Sequence, residues 1–143
     1  TCCEHGFRSY FIKMTELRDR MTSARRSGRE SNLLSYLVRP SCLIIDEVGH
    51  CEFDKENTRL FFDMVDRRYQ KEGYSNMVFS SNRDPAQWKE NFCENDALLC
   101  ALDRIFDDAV VFIIKGESFR GRKLETVALR TSTGSPADPQ QAG

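Results

Sequence analysis

Leu43-Ile44-Ile45-Asp46-Glu47-Val48-Gly49 is the stretch on which the fold of this chain turns. A short, wholly apolar run beginning at Cys42 leads directly into two adjacent carboxylates and a glycine. Such a run suits a strand buried on both faces of a parallel sheet. Open α/β sheets bind ligands at the carboxyl ends of their strands, which is where Asp46 and Glu47 fall. Successive side chains on a strand point opposite ways, so the two acids cannot both belong to one packed face. In a nucleotide hydrolase the first carboxylate holds Mg2+, usually through water, and the second polarises the water that attacks the γ-phosphate. A solvated turn after a buried strand is the alternative reading of the same residues.

On either side, short β-rich runs alternate with amphipathic helices. Tyr10 to Lys13 reads as a strand, and Thr15 offers a hydroxyl to cap the helix that follows. That helix runs toward Gly28, with Leu17, Met21 and Ala24 spaced four and three apart. A second helical piece carries Leu33, Leu34, Leu37 and Val38 and is ended by Pro40. Asp54 to Gly73 predicts a long helix whose apolar stripe is Phe61, Met64, Val65 and Tyr69, with Gly73 as its stop. Met77 to Phe79 predicts the next buried strand. A helix from Asp96 follows, with Leu98, Leu99, Leu102, Ile105 and Phe106 on one face, and Ala109 to Ile114 predicts the last strand. Strands alternating with helices imply an α/β sheet covered by helices on both faces.

The 143 residues are 40% hydrophobic and 30% charged, a globular profile with room for a core. The formal net charge of −1 gives no bulk pull toward nucleic acid or a membrane, so any such affinity is local. No run of eighteen apolar residues is present, which excludes a membrane-spanning helix. The start, Thr1-Cys2-Cys3-Glu4-His5, has no signal-peptide pattern and reads as the beginning of a fragment. None of the six cysteines forms a Cys-x-x-Cys pair; Cys2, Cys3 and His5 lack a second ligand pair, and buried or surface thiols are the expectation. Beyond Arg130 no large apolar residue occurs, and 129–143 is expected to be a disordered tail after a domain spanning 1–128.

Three further signals share an order with the first. Phe79-Ser80-Ser81-Asn82-Arg83 closes the next strand at the same sheet edge, where Asn82 could hold the attacking water or touch the γ-phosphate, or simply precede the Asp84-Pro85 turn. Leu102-Asp103-Arg104-Ile105-Phe106 sets an arginine near the end of a helix. Arg104 could neutralise transition-state charge on a neighbour's nucleotide, or pair with Asp103, Asp107 or Asp108. Between Arg18 and Arg29 lie Arg18, Arg20, Arg25, Arg26 and Arg29 against one acid, Asp19. This patch can neutralise phosphates without reading sequence, or be a solvated helix face. Trp88 and Tyr36 read as packing residues rather than base-stacking platforms.

Together, LIIDEVG, SSNR, Trp88, LDRI and the closing Gly116-Glu117-Ser118-Phe119-Arg120 resemble the AAA+ ATPases of the IstB type, the transposition helpers of bacterial insertion sequences, and more distantly the helicase loader DnaC. The resemblance covers roughly Thr1 to Val127. It implies a three-layer P-loop NTPase (AAA+) core with a parallel sheet, and ATP and Mg2+ as cofactors. By the same resemblance Asp46 is the Walker B aspartate on the Mg2+ side, and Glu47 the catalytic glutamate. Asn82 is the sensor 1 residue, Arg104 the trans-acting arginine, and Arg120 a residue approaching the phosphates or an exposed partner of Glu117. Arg25, Arg26 and Arg29 become candidate DNA contacts. The partners implied are DNA, a transposase and further copies of the chain, in the cytoplasm and away from membranes.

The departure is that no Gly-x-x-x-x-Gly-Lys-[Ser/Thr] loop occurs in the 143 residues, so the Walker A strand and its phosphate cradle are missing. In the family this loop lies just upstream of the helix whose end is read at Thr1 to Gly6. The family function is expected to be ATP-dependent assistance to transposition, regulating a transposase on DNA. The alternatives are a DnaC-like helicase loader and a catalytically inactive fragment acting as a binding module. Without that loop the chain as given is expected neither to bind ATP tightly nor to hydrolyse it.

Overall fold

The computed structural model describes residues 6–93, 96–107 and 109–116. Along the chain run β1 (Ser9–Lys13), α1 (Met14–Arg26), α2 (Glu30–Val38), β2 (Cys42–Asp46), α3 (Lys55–Gln70), β3 (Asn76–Phe79), a 3-10 helix over Pro85–Asn91, and α4 (Asp96–Asp107). The strands form a parallel sheet in the order β1-β2-β3, and the β2 apolar run is its middle strand. Ile12 pairs with Ile45 and Ile45 with Phe79; Phe11 pairs with Ile44 and Ile44 with Val78.

That register sorts the sheet into two faces. One carries Tyr10, Ile12, Leu43, Ile45, Met77 and Phe79 and packs into a single core with Leu17 and Met21 of α1, Leu34 and Leu37 of α2, and Phe61, Met64 and Val65 of α3. Leu102, Ile105 and Phe106 of α4 pack against the same core. The other face carries Phe11 and Val78, each about half exposed. The sequence predicts helices on both faces; the described helices contribute their apolar residues to the first. No described helix is long and apolar enough to cross a membrane.

Four local expectations are corrected. Thr15 caps nothing: β1 runs straight into α1, so Lys13 is both last strand residue and N-cap, and no side chain caps the helix. β3 is not a buried strand; its residues alternate between exposed and half-buried because β2 pairs with it on one side only. α3 ends at Gln70, before Gly73, and its buried stripe includes Arg68 while Tyr69 is exposed. Ala109–Ile114 forms no strand. Apolar β-branched residues favour an extended chain, but a strand exists only where a neighbour supplies ladder hydrogen bonds, which composition cannot report. The chain divides into two compact units at Val110–Val111, and the described residues of the second, 111–116, hold no helix or strand.

Arg68 is the fully buried cation of this core. Its Nη1 donates to the carbonyls of Leu37 (2.8 Å), Val38 (3.2 Å) and Pro40 (3.1 Å), and its Nη2 to that of Asn76 (2.9 Å). One planar fork therefore satisfies the C-terminus of α2 and ties it to the start of β3. Burial pushes the guanidinium below the usual arginine range, yet four carbonyl dipoles hold the charge in place. Arg68→Leu removes the donors and leaves those carbonyls unsatisfied. The expected loss is about 3 kcal/mol of stability, read from the urea midpoint. A loss below about 1 kcal/mol would mean that water replaces the fork at no net cost.

A second polar junction joins α1 to α3. Asp54 caps α3 by accepting from the Asn57 amide at 2.7 Å, and Arg25 Nη1 donates to both Asp54 oxygens at 3.0 and 2.9 Å. Asn57 Nδ2 in turn donates to Thr22 Oγ1 at 2.8 Å. The Asn57 amide chiefly, and Arg25 in addition, hold the Asp54 carboxyl below the ordinary carboxylate range. A depressed folded-state pKa stabilises above the unfolded value, about 3.9, and that contribution is lost as pH falls through the folded value. Asp54→Ala should therefore cost about 1 kcal/mol at pH 7. Urea unfolding repeated near pH 3 should show the gap narrowing; an unchanged gap would place the effect in helix propensity rather than in the charged cap.

Candidate nucleotide site at the carboxyl ends of the strands

β2 delivers Asp46 to the carboxyl end of the sheet, and the chain then turns sharply. Glu47 sits in the left-handed region with φ 59°, an uncommon conformation for a residue with a Cβ. Strain of this kind persists where surrounding bonds over-determine the backbone, and here the end of β3 supplies them. The Val48 amide donates to the Ser80 carbonyl at 2.9 Å, the Ser80 amide to the Ile45 carbonyl at 3.0 Å, and the Glu47 amide to Ser80 Oγ at 3.4 Å. Ser80 Oγ also donates to Asp46 Oδ1 in a short contact. One serine thus orients the first carboxylate and the backbone of the second.

The next residues repeat the pattern. Ser81 Oγ donates to the Val48 carbonyl at 2.6 Å and accepts from Trp88 Nε1 at 3.2 Å. Trp88 is buried between the rings of Phe79 and Phe106, as its reading as a packing residue expects. Tyr36, read the same way, lies half exposed with its ring edge-on to Tyr10. Gly49, at φ 91°, lets the chain pass under Arg83, whose Cδ would lie 3.0 Å from any Cβ added there. Buried Asn91, in the 3-10 helix, donates to the Gly49 and Cys51 carbonyls at 3.0 and 3.3 Å and holds the far side of the turn. The His50 amide closes it on the Glu47 carbonyl at 3.2 Å.

Asp46 ends β2 with Glu47 directly after it and Asn82 follows β3, so all three lie at the carboxyl ends of adjacent parallel strands. Glu47 faces Lys13 Nζ at 3.3 Å, and Asn82 Oδ1 faces His50 Nε2 at 3.0 Å. Ser80, Lys13 and His50 were not singled out by the sequence. Ser80 lies within the quoted SSNR stretch, whereas the pairings of Lys13 and His50 span more than thirty residues and leave no local signal.

The arginines fall elsewhere. Arg104 on α4 pairs with Asp66 of α3 and lies over the Tyr69 ring at 5.9 Å; of the aspartates named as alternatives, Asp108 lies outside the described residues. Arg18 pairs with Asp19, Arg20 with Glu16, and Arg25 with Asp54. Arg26 and Arg29 form no ion pair among the described residues. Arg120, the tail at 129–143, and Cys2, Cys3 and His5 lie outside the described residues. No group of three His, Cys, Asp or Glu side chains able to hold a metal is found among the described residues.

The model of the IstB-like ATP binding protein family matches residues 1–126. The ATP-binding protein of insertion sequence IS5376 from Geobacillus stearothermophilus is 30% identical over 118 residues, covering 82% of this chain and 46% of that protein. The corresponding protein of IS21 from Pseudomonas aeruginosa is 29% identical over 131 residues, 92% of this chain and 48% of its own length. The chain thus spans about half the length of the relatives it matches. Among solved structures, AMPPCP-bound DnaA from Aquifex aeolicus superposes with a TM-score of 0.63 at 15% identity, covering 77% of this chain and 32% of that one. The replication initiator DnaA bound to AMPPCP and single-stranded DNA gives 0.56 over 71% and 30%. These likenesses show the fold, that of a P-loop NTPase-like AAA+ core. With its parallel sheet and the family model spanning nearly the whole described chain, this protein belongs to the IstB-like ATP-binding family.

Proposed function

We propose that this chain carries the catalytic-carboxylate part of an AAA+ ATPase that assists DNA transposition by regulating a transposase on DNA. The observation that carries the reading is the pair Asp46–Glu47 at the end of the central strand, locked to the end of β3 through Ser80. Hard oxygen donors at that position, Asp46 Oδ1 and Ser80 Oγ, fit a hydrated Mg2+ arriving with ATP. The bound ion would neutralise charge on the β- and γ-phosphates. Glu47, released from Lys13, accepts a proton from the attacking water as general base. Asn82 at the neighbouring strand end orients that water or a γ-phosphate oxygen. No Walker A loop occurs in these 143 residues, so tight ATP binding is proposed only for a protein in which such a loop accompanies them.

Arg104 supplies the trans-acting charge in an assembled oligomer. In the single chain its guanidinium is held by Asp66 and Tyr69, so assembly exchanges one partner for another. The DNA contact falls to Arg26 and Arg29, since Arg25 is committed to Asp54 and Asn57. A DnaC-like loader and an inactive binding module use the same fold. The first replaces the transposase with a helicase, and the second keeps the surface without turnover.

The test is ATP hydrolysis by the full-length protein with Glu47→Gln. Nucleotide binding should persist while turnover falls by at least about 10²-fold, the range of general-base loss. Turnover near the wild-type rate would remove Glu47 from its role, and an inactive wild type that still binds DNA would favour the binding module. For the DNA surface, Arg26→Ala and Arg29→Ala should each weaken binding uniformly across sequences. Each should also lower the slope of log affinity against log salt by about 1. Salt slopes unchanged in both variants would return these residues to an ordinary solvated helix end.

A further inference from the structure

At the end of β3, the hydroxyls of Ser80 and Ser81 bond to the Asp46–Val48 segment, whereas the exposed Asn82 side chain turns to His50. Its carbonyl oxygen Oδ1 lies 3.0 Å from His50 Nε2, and its Nδ2 has no partner among the described residues. His50 reaches this position because the turn from Glu47 closes on itself, the His50 amide donating to the Glu47 carbonyl. Gly49, at φ 91°, makes that turn possible. The imidazole and the second carboxylate thus ride on one four-residue turn.

An amide side chain presents either an acceptor or two donors, depending on its flip about the last torsion. A γ-phosphate oxygen, or the lone pair of an attacking water, needs the donors. We infer that His50 is a positioning residue for Asn82. With Nε2–H donating to Oδ1, it fixes the amide so that Nδ2 faces the reacting phosphate or water. The inference rests on the reading of Asn82 as the group that meets them. A histidine at this place does not touch substrate; it removes one of two orientations that an isolated exposed asparagine would sample.

The experiment compares ATP turnover of the full-length protein in five forms: wild type, His50→Phe, His50→Gln, Asn82→Ala and the double variant His50→Phe/Asn82→Ala. Phenylalanine keeps a ring of similar shape but has no donor, and the glutamine amide can restore one at the place of Nε2. His50→Phe should lower kcat by about tenfold with KM for ATP little changed, less than the ~10²-fold that deleting a transition-state donor outright removes. His50→Gln should recover most of the loss, and the double variant should be no slower than Asn82→Ala alone. Wild-type kcat in His50→Phe beside an impaired Asn82→Ala overturns the inference and leaves the role of Asn82 standing. Multiplying losses in the double variant overturn it too. Wild-type kcat in Asn82→Ala overturns the role of Asn82 and the inference with it.

Discussion

Hydrogen bonding along both edges of β2 is the constraint on which this structure depends. A parallel strand paired on each side and packed through Leu43 and Ile45 has no freedom to slip, because a one-residue shift would turn its buried residues outward. The register then fixes where Asp46 emerges. The Ser80 amide extends the ladder to the Ile45 carbonyl, and the Ser80 carbonyl receives the Val48 amide, so the end of β3 grips the chain where it leaves the sheet. The left-handed Glu47 is held by that grip. A residue held in such a conformation is an expected feature of a site that must aim a side chain.

The charges of the molecule divide by what they satisfy. Arg68 is spent inside, on the carbonyls left by the end of α2, and Lys71 adds donors to the Val38, Arg39 and Pro40 carbonyls around it. Arg25 closes the junction at the head of α3. An arginine-rich segment that looks uniform in sequence is therefore uneven in space: three of its members face acids and two do not. Arg18 and Arg20 are matched within their own helix, where exposed pairs contribute little to stability. Among the described residues the two members of this segment without an ion pair, Arg26 and Arg29, lie at the end of α1 and just before α2.

Several parts of this protein were legible in its sequence. The apolar run at Cys42–Ile45 followed by Asp46-Glu47 identifies a buried parallel strand with two carboxylates at its carboxyl end, because hydrophobic patterning and strand polarity are local properties. Helices α1, α2 and α3 follow from their periodicity, and the ordered motifs point to the IstB-type family, of which the chain is a member. What the sequence could not decide is whatever depends on a distant partner. Ala109–Ile114 has strand composition without strand pairing, and β3 is half exposed as an edge. Arg104 finds Asp66 on α3, thirty-eight positions away in sequence. Arg68, and not Tyr69, is buried, because the carbonyls of Leu37, Val38, Pro40 and Asn76 converge there only after α2, β2 and β3 have packed. Sequence fixes which elements can form, through side-chain periodicity and apolarity. The tertiary structure alone decides which polar groups meet, since hydrogen bonds and ion pairs reach only a few ångströms and here join residues as far as 42 positions apart.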